Sequence, residues 1–335
     1  MKYTIIVVNY NKENQIENCL NSIINQTYKN FELLIVDDGS TDNSKEIINK
    51  YKKYSNVKIF FKKNTGVSDT RNFAIKKVKT KYFLFVDSDD FIDKKLLEEC
   101  EKYKDYDILS FDSNIIERNK TTKLKTKGKF EKKEGKEVLF EYMNHNPLFL
   151  VPWGYVYNID LFRKNNLNYP KGYVHEDVYL TPIAILNAKE IDGIDFYGYN
   201  YVQTKESIIR SESYEKQKLK SDSMIHVYKE LIKYIDKNLE NTNIKKRCFH
   251  YFTNALLYEG VTLKGKIKEE YIKKIGEMKI YNYIDSSSTV GKMKKQIVKK
   301  NIKLYYLLFP FVPVLYTIFD FPRKVKEKVI KNEKE

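Results

Sequence analysis

The sequence predicts an α/β fold in which helices flank a mostly parallel, Rossmann-like sheet, followed by a smaller helical appendage. Short apolar runs rich in branched and aromatic residues alternate with segments whose apolar residues recur at helical spacing. The connections between them are short, and polar or acidic residues follow several of the apolar runs. This alternation is typical of βαβ units, which build parallel sheets.

The first 90 residues supply four strands and three helices of this pattern. We expect the strands at residues 3–8, 31–36, 57–61 and 81–90, and the helices at 16–24, 43–53 and 67–78. The loops that follow the strands are polar, and they cover residues 9–11, 37–42, 64–66 and 87–90. Because ligands bind outside the carboxyl ends of such strands, we expect these loops to line one crevice.

Three acids end the last of these strands abruptly. Asp87, Asp89 and Asp90 follow a run of aromatic and branched residues. Carboxylates crowded this closely repel one another unless a cation lies among them, and oxygen ligands suit Mg²⁺ or Mn²⁺. The alternative is a solvated turn with a helix N-cap. In either case we expect Asp90 to cap the following helix, whose apolar positions include Leu96 and Leu97.

Composition narrows the class of protein. The chain has 335 residues, 42% of them hydrophobic, and a formal net charge of +16. The charge favours phosphorylated substrates, anionic lipid or nucleic acid, but no nucleic-acid-binding motif is present, so we expect no nucleic-acid partner. Three scattered cysteines predict buried free thiols, and four scattered histidines give no zinc spacing. The N-terminus lacks the apolar region of a secretory signal, so we expect a cytoplasmic protein.

Two long segments carry a family resemblance. IIVVNYNKENQIENCLNSIINQTYKNFELLIVDDGSTDNS and NTGVSDTRNFAIKKVKTKYFLFVDSDD resemble family 2 of the inverting nucleotide-sugar glycosyltransferases, which have the GT-A fold, in their bacterial surface-polysaccharide type. The similarity resumes at residues 152–180 and 199–210. The resemblance implies a catalytic domain over 1–215, with a nucleotide-binding half at about 1–95 and an acceptor half at about 96–215. A helical appendage at 216–290 and a basic, apolar segment at 291–335 would follow.

For the donor, the resemblance implies a UDP-sugar and a Mn²⁺ or Mg²⁺ ion. Asp37 would accept a hydrogen bond from the uracil imide, with Tyr10 near the base and Arg71 beside it. Asp89 would hold the metal, and Asp87 would reach the ribose or the metal. The whole donor site is assigned to Tyr10, Asp37, Asp38, Gly66, Arg71, Asp87 and Ser88.

For the acceptor, VPWGYVYNIDLFRKNNLNYPKGYVHEDVYLTPIA resembles the family segment that ends in Glu-Asp. Asp177 would be the general base, Glu176 would orient the acceptor, and Trp153 would pack against a sugar. The alternative is a helix N-terminus whose acids merely suit the helix dipole. We expect His175 beside the site and not as a metal ligand.

Three later segments leave alternatives open. Residues 199–210 resemble a family segment that folds over the diphosphate of the donor, which implies a phosphate contact by Lys205, Ser207 or Arg210. The alternative is a solvated loop. The charge-rich stretch 115–144 predicts a polar hairpin, an acceptor-side loop or disorder. The uncharged residues 304–319, flanked by lysines and interrupted by prolines, predict an in-plane anchor on an anionic membrane, or else a segment packed on the core or on a dimer partner.

The resemblance therefore predicts a metal-dependent, inverting hexosyl- or N-acetylhexosaminyltransferase. It would act at the inner face of the cell membrane on a hydroxyl of a glycan or lipid-linked acceptor, in cell-surface polysaccharide synthesis. A sugar nucleotidyltransferase-like enzyme and an inactive sugar-binding scaffold are the alternatives. Homo-oligomerisation is left open by the sequence.

Overall fold

The computed structural model describes residues 1–117, 120–124, 128–145, 150–203, 213–240 and 242–309. The chain divides into two compact units, Met1–Ser211 and Glu212–Glu335. The three-part division predicted from the sequence, with boundaries after residues 215 and 290, stays a prediction.

One sheet organises the first unit. Its strands in the described part of the chain are β1 (Tyr3–Asn9), β2 (Phe31–Asp37), β3 (Val57–Phe61), β4 (Tyr82–Asp87), β5 (Phe91–Ile92), β6 (Ile108–Glu117), β7 (Lys120–Leu124), β8 (Phe130–Lys133), β9 (Tyr155–Asn158) and β10 (Ile191–Val202). The strand order is β3-β2-β1-β4-β9-β6-β10-β5, with β7 paired to β6 and β8 to β10. Strands β1 to β4 pair in parallel, and β9 joins β4 and β6 antiparallel.

Seven helices accompany this sheet in the described residues. They are α1 (Ile16–Ile24), α2 (Ser44–Asn49), α3 (Val67–Lys77), α4 (Leu96–Cys100), α5 (Gly135–His145), α6 (Ile159–Lys164) and α7 (Glu176–Asn187). A 3-10 turn, Lys50–Lys53, extends α2. The four strands and three helices expected in the first 90 residues are therefore present, and the predicted α/β fold class is confirmed.

The core of this unit explains why β1, β2 and β4 are mostly apolar. Their side chains are buried on both faces, as expected for parallel strands covered by helices. Helix α1 contributes Ile16, Cys19 and Leu20 to the same core cluster as Ile5 and Leu84. All three cysteines are buried free thiols, as predicted.

The charge-rich stretch 115–144 contains both a predicted and an unpredicted element. Strands β6 and β7 form the expected antiparallel hairpin. Helix α5, which follows, was not predicted, although it buries Val138, Leu139 and Tyr142. The surrounding charges obscured these few apolar positions.

The second unit is helical in its described residues. It contains α8 (Tyr214–Asn238), α9 (Asn243–Thr262), α10 (Gly265–Glu277), α11 (Thr289–Lys300) and α12 (Ile302–Leu308), with a 3-10 turn at Ile280–Tyr283. The predicted helical stretches around Met224, Cys248 and Tyr271 lie within three of these helices.

The uncharged segment 304–319 begins inside α12. Tyr305 is buried, and the Tyr306 hydroxyl donates to the carbonyl oxygen of Leu257 over 3.0 Å, so this part packs on the unit's own helices. Residues 310–319 lie outside the described chain. Among the helices that the structure describes, none combines the length and the apolar character needed to cross a bilayer.

Candidate active site

Sheet register brings the predicted site loops together. Asn9 lies opposite Asp37, and Val8 lies opposite Asp87, so β1, β2 and β4 end at the same edge. The polar loops that follow these strands consequently contact one another, as the sequence predicted. Hydrogen bonds and ion pairs at this edge identify which side chains meet.

Asp37 is fully buried at the end of β2. Its Oδ2 accepts hydrogen bonds from Asn9 Nδ2 at 2.9 Å and from the Ser40 hydroxyl at 2.5 Å. Its Oδ1 accepts from the backbone N–H of Ser40 at 2.9 Å. Through Oδ2, Asp37 thus joins the end of β1 to the loop after β2. The uracil contact assigned to Asp37 stays a prediction. Tyr10, which follows Asn9 in the chain, is 45% exposed.

Asp38 shapes the next loop. Its Oδ1 accepts from Lys62 Nζ at 2.5 Å and from the N–H of Thr65 at 3.0 Å, while Oδ2 accepts from the N–H of Gly66 at 2.9 Å. Gly66 has a φ of 90°, a conformation that glycine adopts without strain, and it is the N-cap residue directly before α3. Asp38 therefore fixes the turn from which α3 presents Arg71 to the site.

Asp87 and Asp89, which are separated by one residue, each face a cation. Arg71 Nη2 donates to Asp87 Oδ1 at 3.0 Å, and Lys12 Nζ donates to Asp89 Oδ2 at 2.7 Å. Burial raises the pKa of Asp87, Arg71 opposes that shift, and Asp89 adds to it. Ser88 between them is buried. The structure thus places both acids together at the sheet edge.

Asp90 has a different role from the one predicted. It is 2% exposed, and it accepts hydrogen bonds from the Tyr199 hydroxyl at 2.6 Å and from the N–H of Val202 at 2.7 Å. Helix α4 instead begins at Leu96, after Lys95, so the prediction that Asp90 caps it is wrong. Tyr199 also accepts from the N–H of Asp87 at 3.1 Å. Through Asp90 and Tyr199, β10 is hydrogen-bonded to residues 87–90, which we call the acidic loop.

Arg71 joins the two halves of the site. Its Nη1 binds Glu176 at the start of α7, while its Nη2 holds Asp87. The guanidinium lies 5.7 Å from the centroid of Phe85 and 5.5 Å from that of Tyr169. Such aromatic faces favour a cation, especially one as buried as Arg71. The predicted contact of Arg71 with the base remains untested, whereas its bridge between two acids is visible.

The first turn of α7 carries Glu176 and Asp177. His175 precedes them with a φ of 64°, a left-handed conformation that is uncommon outside glycine. Burial raises the pKa of Asp177 to about 7, the charge of Glu176 adds to the shift, and Arg71 opposes it. A carboxyl group with such a pKa suits a general base near neutral pH.

Trp153 supports the site from inside the domain. Only 4% of it is exposed, and its ring stacks on Tyr199 at 4.5 Å between centroids and on Tyr201 at 5.6 Å. The acceptor contact predicted for Trp153 stays a prediction. The phosphate contacts proposed for Lys205, Ser207 and Arg210 lie outside the described residues.

Sequence reasoning missed Lys12, Lys62 and Tyr199. Lys12 had a usable signal, because it directly follows the polar loop of β1 at the edge where the acids gather. Lys62 and Tyr199 had no usable signal in the sequence, since only the path of the backbone determines which residues they contact.

The donor set fits a divalent cation that takes few ligands from the protein. Asp87 and Asp89 offer carboxylates whose side chains are 32% and 25% exposed. Among the described residues, no cluster of three or more His, Cys, Asp or Glu forms a complete metal cage. Mg²⁺ is commonly bound by one or two carboxylates plus substrate phosphates, so two acids suffice.

Comparison with known proteins gives relatives that are named as glycosyltransferases. Glycosyltransferase GlyA of Streptococcus pneumoniae is 31% identical over 225 residues, which are 62% of this chain and 32% of GlyA. The poly(ribitol-phosphate) beta-N-acetylglucosaminyltransferase TarS of Staphylococcus aureus is 29% identical over 222 residues, 64% of this chain and 38% of TarS. The chain thus spans about a third of the length of these relatives.

Solved structures show the same fold. S. aureus TarS 1–349 in complex with UDP-GlcNAc matches with a TM-score of 0.77 at 22% identity, covering 93% of this chain and 91% of that one. The mannosyltransferase PcManGT of Pyrobaculum calidifontis, in complex with GDP-Man and Mn²⁺, matches with a TM-score of 0.52 at 12% identity, covering 96% and 88%.

The family profile described as "Glycosyl transferase family 2" matches residues 4–174, about half of the chain, and includes the loops after β1, β2 and β4. The chain belongs to glycosyl transferase family 2.

Proposed function

We propose that this protein transfers a sugar from a UDP-sugar to an acceptor hydroxyl, with inversion at the anomeric carbon. The observation that carries this proposal is the Arg71 bridge, in which one buried guanidinium holds both Asp87 of the acidic loop and Glu176 of α7. Asp177, next to Glu176, has a pKa of about 7. Under this proposal, a cation-binding pair of acids and a general base would lie near the same arginine.

The donor assignment draws on the relatives. TarS binds UDP-GlcNAc in its solved complex, and the TarS name specifies transfer of N-acetylglucosamine to poly(ribitol-phosphate). By analogy, we assign a UDP-linked hexose or N-acetylhexosamine to this chain, and a cell-surface glycan or lipid-linked glycan as acceptor. Tyr10, exposed beside the buried Asp37, offers a ring on which a base can stack.

Asp87 and Asp89 would hold a Mn²⁺ or Mg²⁺ ion. The ion would supply positive charge that stabilises the leaving diphosphate. The presence of Mn²⁺ in the PcManGT complex supports this assignment, since that protein shares the fold.

Asp177 would accept the proton of the acceptor hydroxyl. The hydroxyl oxygen then bonds to the anomeric carbon as the bond from that carbon to the UDP oxygen breaks, so one displacement inverts the centre. Glu176, held by Arg71, would orient the acceptor. The raised pKa of Asp177 strengthens it as a base, while leaving a large share of it ionised near neutral pH.

A donor screen tests the proposal. Purified chain is incubated with a panel of UDP-sugars and Mn²⁺, and UDP release and sugar transfer are measured for wild type, Asp89→Asn, Asp177→Asn and the exposed control Asp160→Asn. We expect metal-dependent release by wild type and control, loss of metal dependence with loss of turnover in Asp89→Asn, and retained UDP binding in Asp177→Asn.

Two results would contradict it. Full Mn²⁺-dependent turnover by Asp89→Asn would remove the metal assignment. Donor binding without release or transfer by wild type, whatever sugar is offered, would favour the scaffold alternative.

We also propose that the C-terminal region attaches the protein to the inner face of an anionic membrane. Lysines surround the uncharged residues 304–319. In the described part of this segment, Leu304 is 40% and Leu307 is 71% exposed, while Tyr305 is buried, so α12 presents an apolar side to its surroundings. Such a segment with basic flanks suits an in-plane anchor.

Vesicle flotation tests the attachment. Wild type should float with anionic vesicles at low salt and less at high salt, because exposed charges are screened. Leu304→Glu/Leu307→Glu should float less, whereas Met293→Glu, an exposed control on α11, should behave as wild type. Equal recovery of wild type with neutral and anionic vesicles would contradict the proposal.

A further inference from the structure

We infer that Lys12 is a built-in counter-cation of the metal-binding acid Asp89, and that it sets how tightly the free protein binds a divalent metal. The inference deepens the proposed function and rests on it. Its first support is the ion pair itself, in which Lys12 Nζ lies 2.7 Å from Asp89 Oδ2 with side chains 21% and 25% exposed. Lys12 thus holds the carboxylate that the proposed function gives to the metal.

The backbone at Lys12 is fixed by the loop after β2 and by Ser44, the first residue of α2. Its N–H donates to the Ser44 hydroxyl at 3.1 Å, and the N–H of Asn11 donates to the Ser40 hydroxyl at 2.9 Å. Asn11 has a φ of 51°, and its side-chain oxygen accepts from the N–H of Thr41 at 2.8 Å. The loop therefore directs the lysine toward Asp89, and only the flexible side chain has freedom to move away.

The ammonium and a divalent cation oppose each other at this acid. Two positive charges a few ångströms apart repel, and the ammonium occupies an oxygen that is also a metal ligand. Lys12 must therefore leave Asp89, or weaken its contact, when Asp89 binds a metal. Arg71 differs, because Glu176 and two aromatic rings hold it in place.

The donor gives Lys12 a new partner. A UDP-sugar carries a negatively charged diphosphate, and a lysine released from Asp89 is a suitable point charge for phosphate. Lys12 then stabilises the loaded site while disfavouring metal in the empty one. Metal and donor binding become coupled through this lysine, in the sense that each favours the other.

Binding measurements on the full chain test this without using turnover. The Mn²⁺ affinity of wild type, Lys12→Gln, Lys12→Arg and the exposed control Lys50→Gln is measured calorimetrically, with and without UDP. We expect Lys12→Gln to bind Mn²⁺ roughly tenfold more tightly without UDP, equivalent to about 1.4 kcal/mol, and to bind UDP more weakly at saturating Mn²⁺. Lys12→Arg and Lys50→Gln should resemble wild type.

The outcomes separate this inference from the proposed function. If wild type binds Mn²⁺ with UDP but Lys12→Gln shows unchanged or weaker Mn²⁺ binding alone, the role of Lys12 is overturned and the metal site stands. If wild type binds no Mn²⁺ even with UDP, the metal assignment fails and the inference fails with it. Thermal unfolding of each variant confirms that the fold is retained.

Discussion

Arg71 Nη2 donates to Asp87 Oδ1 over 3.0 Å, and this contact joins α3 to the acidic loop after β4. The other arm of the same guanidinium binds Glu176, 105 residues further along the chain. One buried cation therefore compensates two carboxylates from the two predicted halves of the catalytic domain.

Replacing Arg71 should weaken both the fold and the site. Arg71→Gln leaves two acids without their cation, and breaking a buried ion pair typically costs about 3–5 kcal/mol, because one charge stays uncompensated. We expect a clear fall in the unfolding midpoint, measured by urea denaturation. Lys81→Gln, which breaks an exposed pair with Asp105, is the control and should unfold close to wild type. Equal midpoints for the two variants would contradict the bridging role.

Asp177 should set the acid limb of the pH profile. A general base works in its ionised form, so kcat/KM should fall as the pH drops below about 7, the pKa to which burial and Glu176 raise this group. Asp177→Asn should lower turnover by about two to four orders of magnitude. Any residual activity should lack the acid limb, which the exposed control Asp160→Asn should keep. Retention of the limb in Asp177→Asn would assign that pKa to another group.

The raised pKa of Asp177 also makes the stability of the fold depend on pH. A raised pKa means that the folded protein favours the protonated acid, so its contribution is present below the unfolded value of 3.8 and is lost as the pH rises through about 7. Asp177→Asn should therefore be at least as stable as wild type at about pH 8. A variant with a clearly lower melting temperature there would show that the ionised carboxylate stabilises the fold.

Removing the hydroxyl group of Tyr199 should loosen the acidic loop. In Tyr199→Phe, buried Asp90 loses a donor and the N–H of Asp87 loses an acceptor, and an unsatisfied buried group costs about 1–3 kcal/mol. We expect lower stability by urea denaturation and weaker UDP binding by calorimetry. Tyr197→Phe, on the same strand and half-buried, is the matched control. Unchanged UDP affinity in Tyr199→Phe would limit this tyrosine to a packing role.

The second unit should be sensitive to acid through His250. Its Nδ1 accepts from the N–H of Asp285 at 2.9 Å, and burial, helped by Lys294 and Arg247 and opposed by Asp285, lowers its pKa from 6.5 to about 4. The unfolded chain therefore takes up a proton first, so stability falls as the pH drops from about 6.5 to about 4. His250→Asn should reduce this loss in thermal unfolding, while His226→Asn should keep it. The same acid sensitivity in His250→Asn would contradict the assignment.

The sequence by itself determined the elements of the nucleotide-binding half and the edge where their loops meet. Runs such as 3–8 and 31–36 are mostly apolar, which is typical of covered parallel strands. The period of apolar residues and the length of loops are local properties that a sequence displays. The acids Asp37, Asp87 and Asp89 were placed at this edge for the same reason. Family resemblance then supplied their expected roles.

Only the tertiary structure decided which side chains meet. Asp90 and Tyr199 are 109 residues apart, and the choice between a helix cap and a buried contact depended on where β10 runs. Trp153 turned out to stack on Tyr199 and Tyr201 inside the domain, although its type alone suggested a sugar. Sheet register and helix placement bring Lys12 and Arg71 next to their acidic partners. Hydrogen bonds and ion pairs act over about 3–4 Å, and sequence spacing does not encode such distances between elements far apart in the chain.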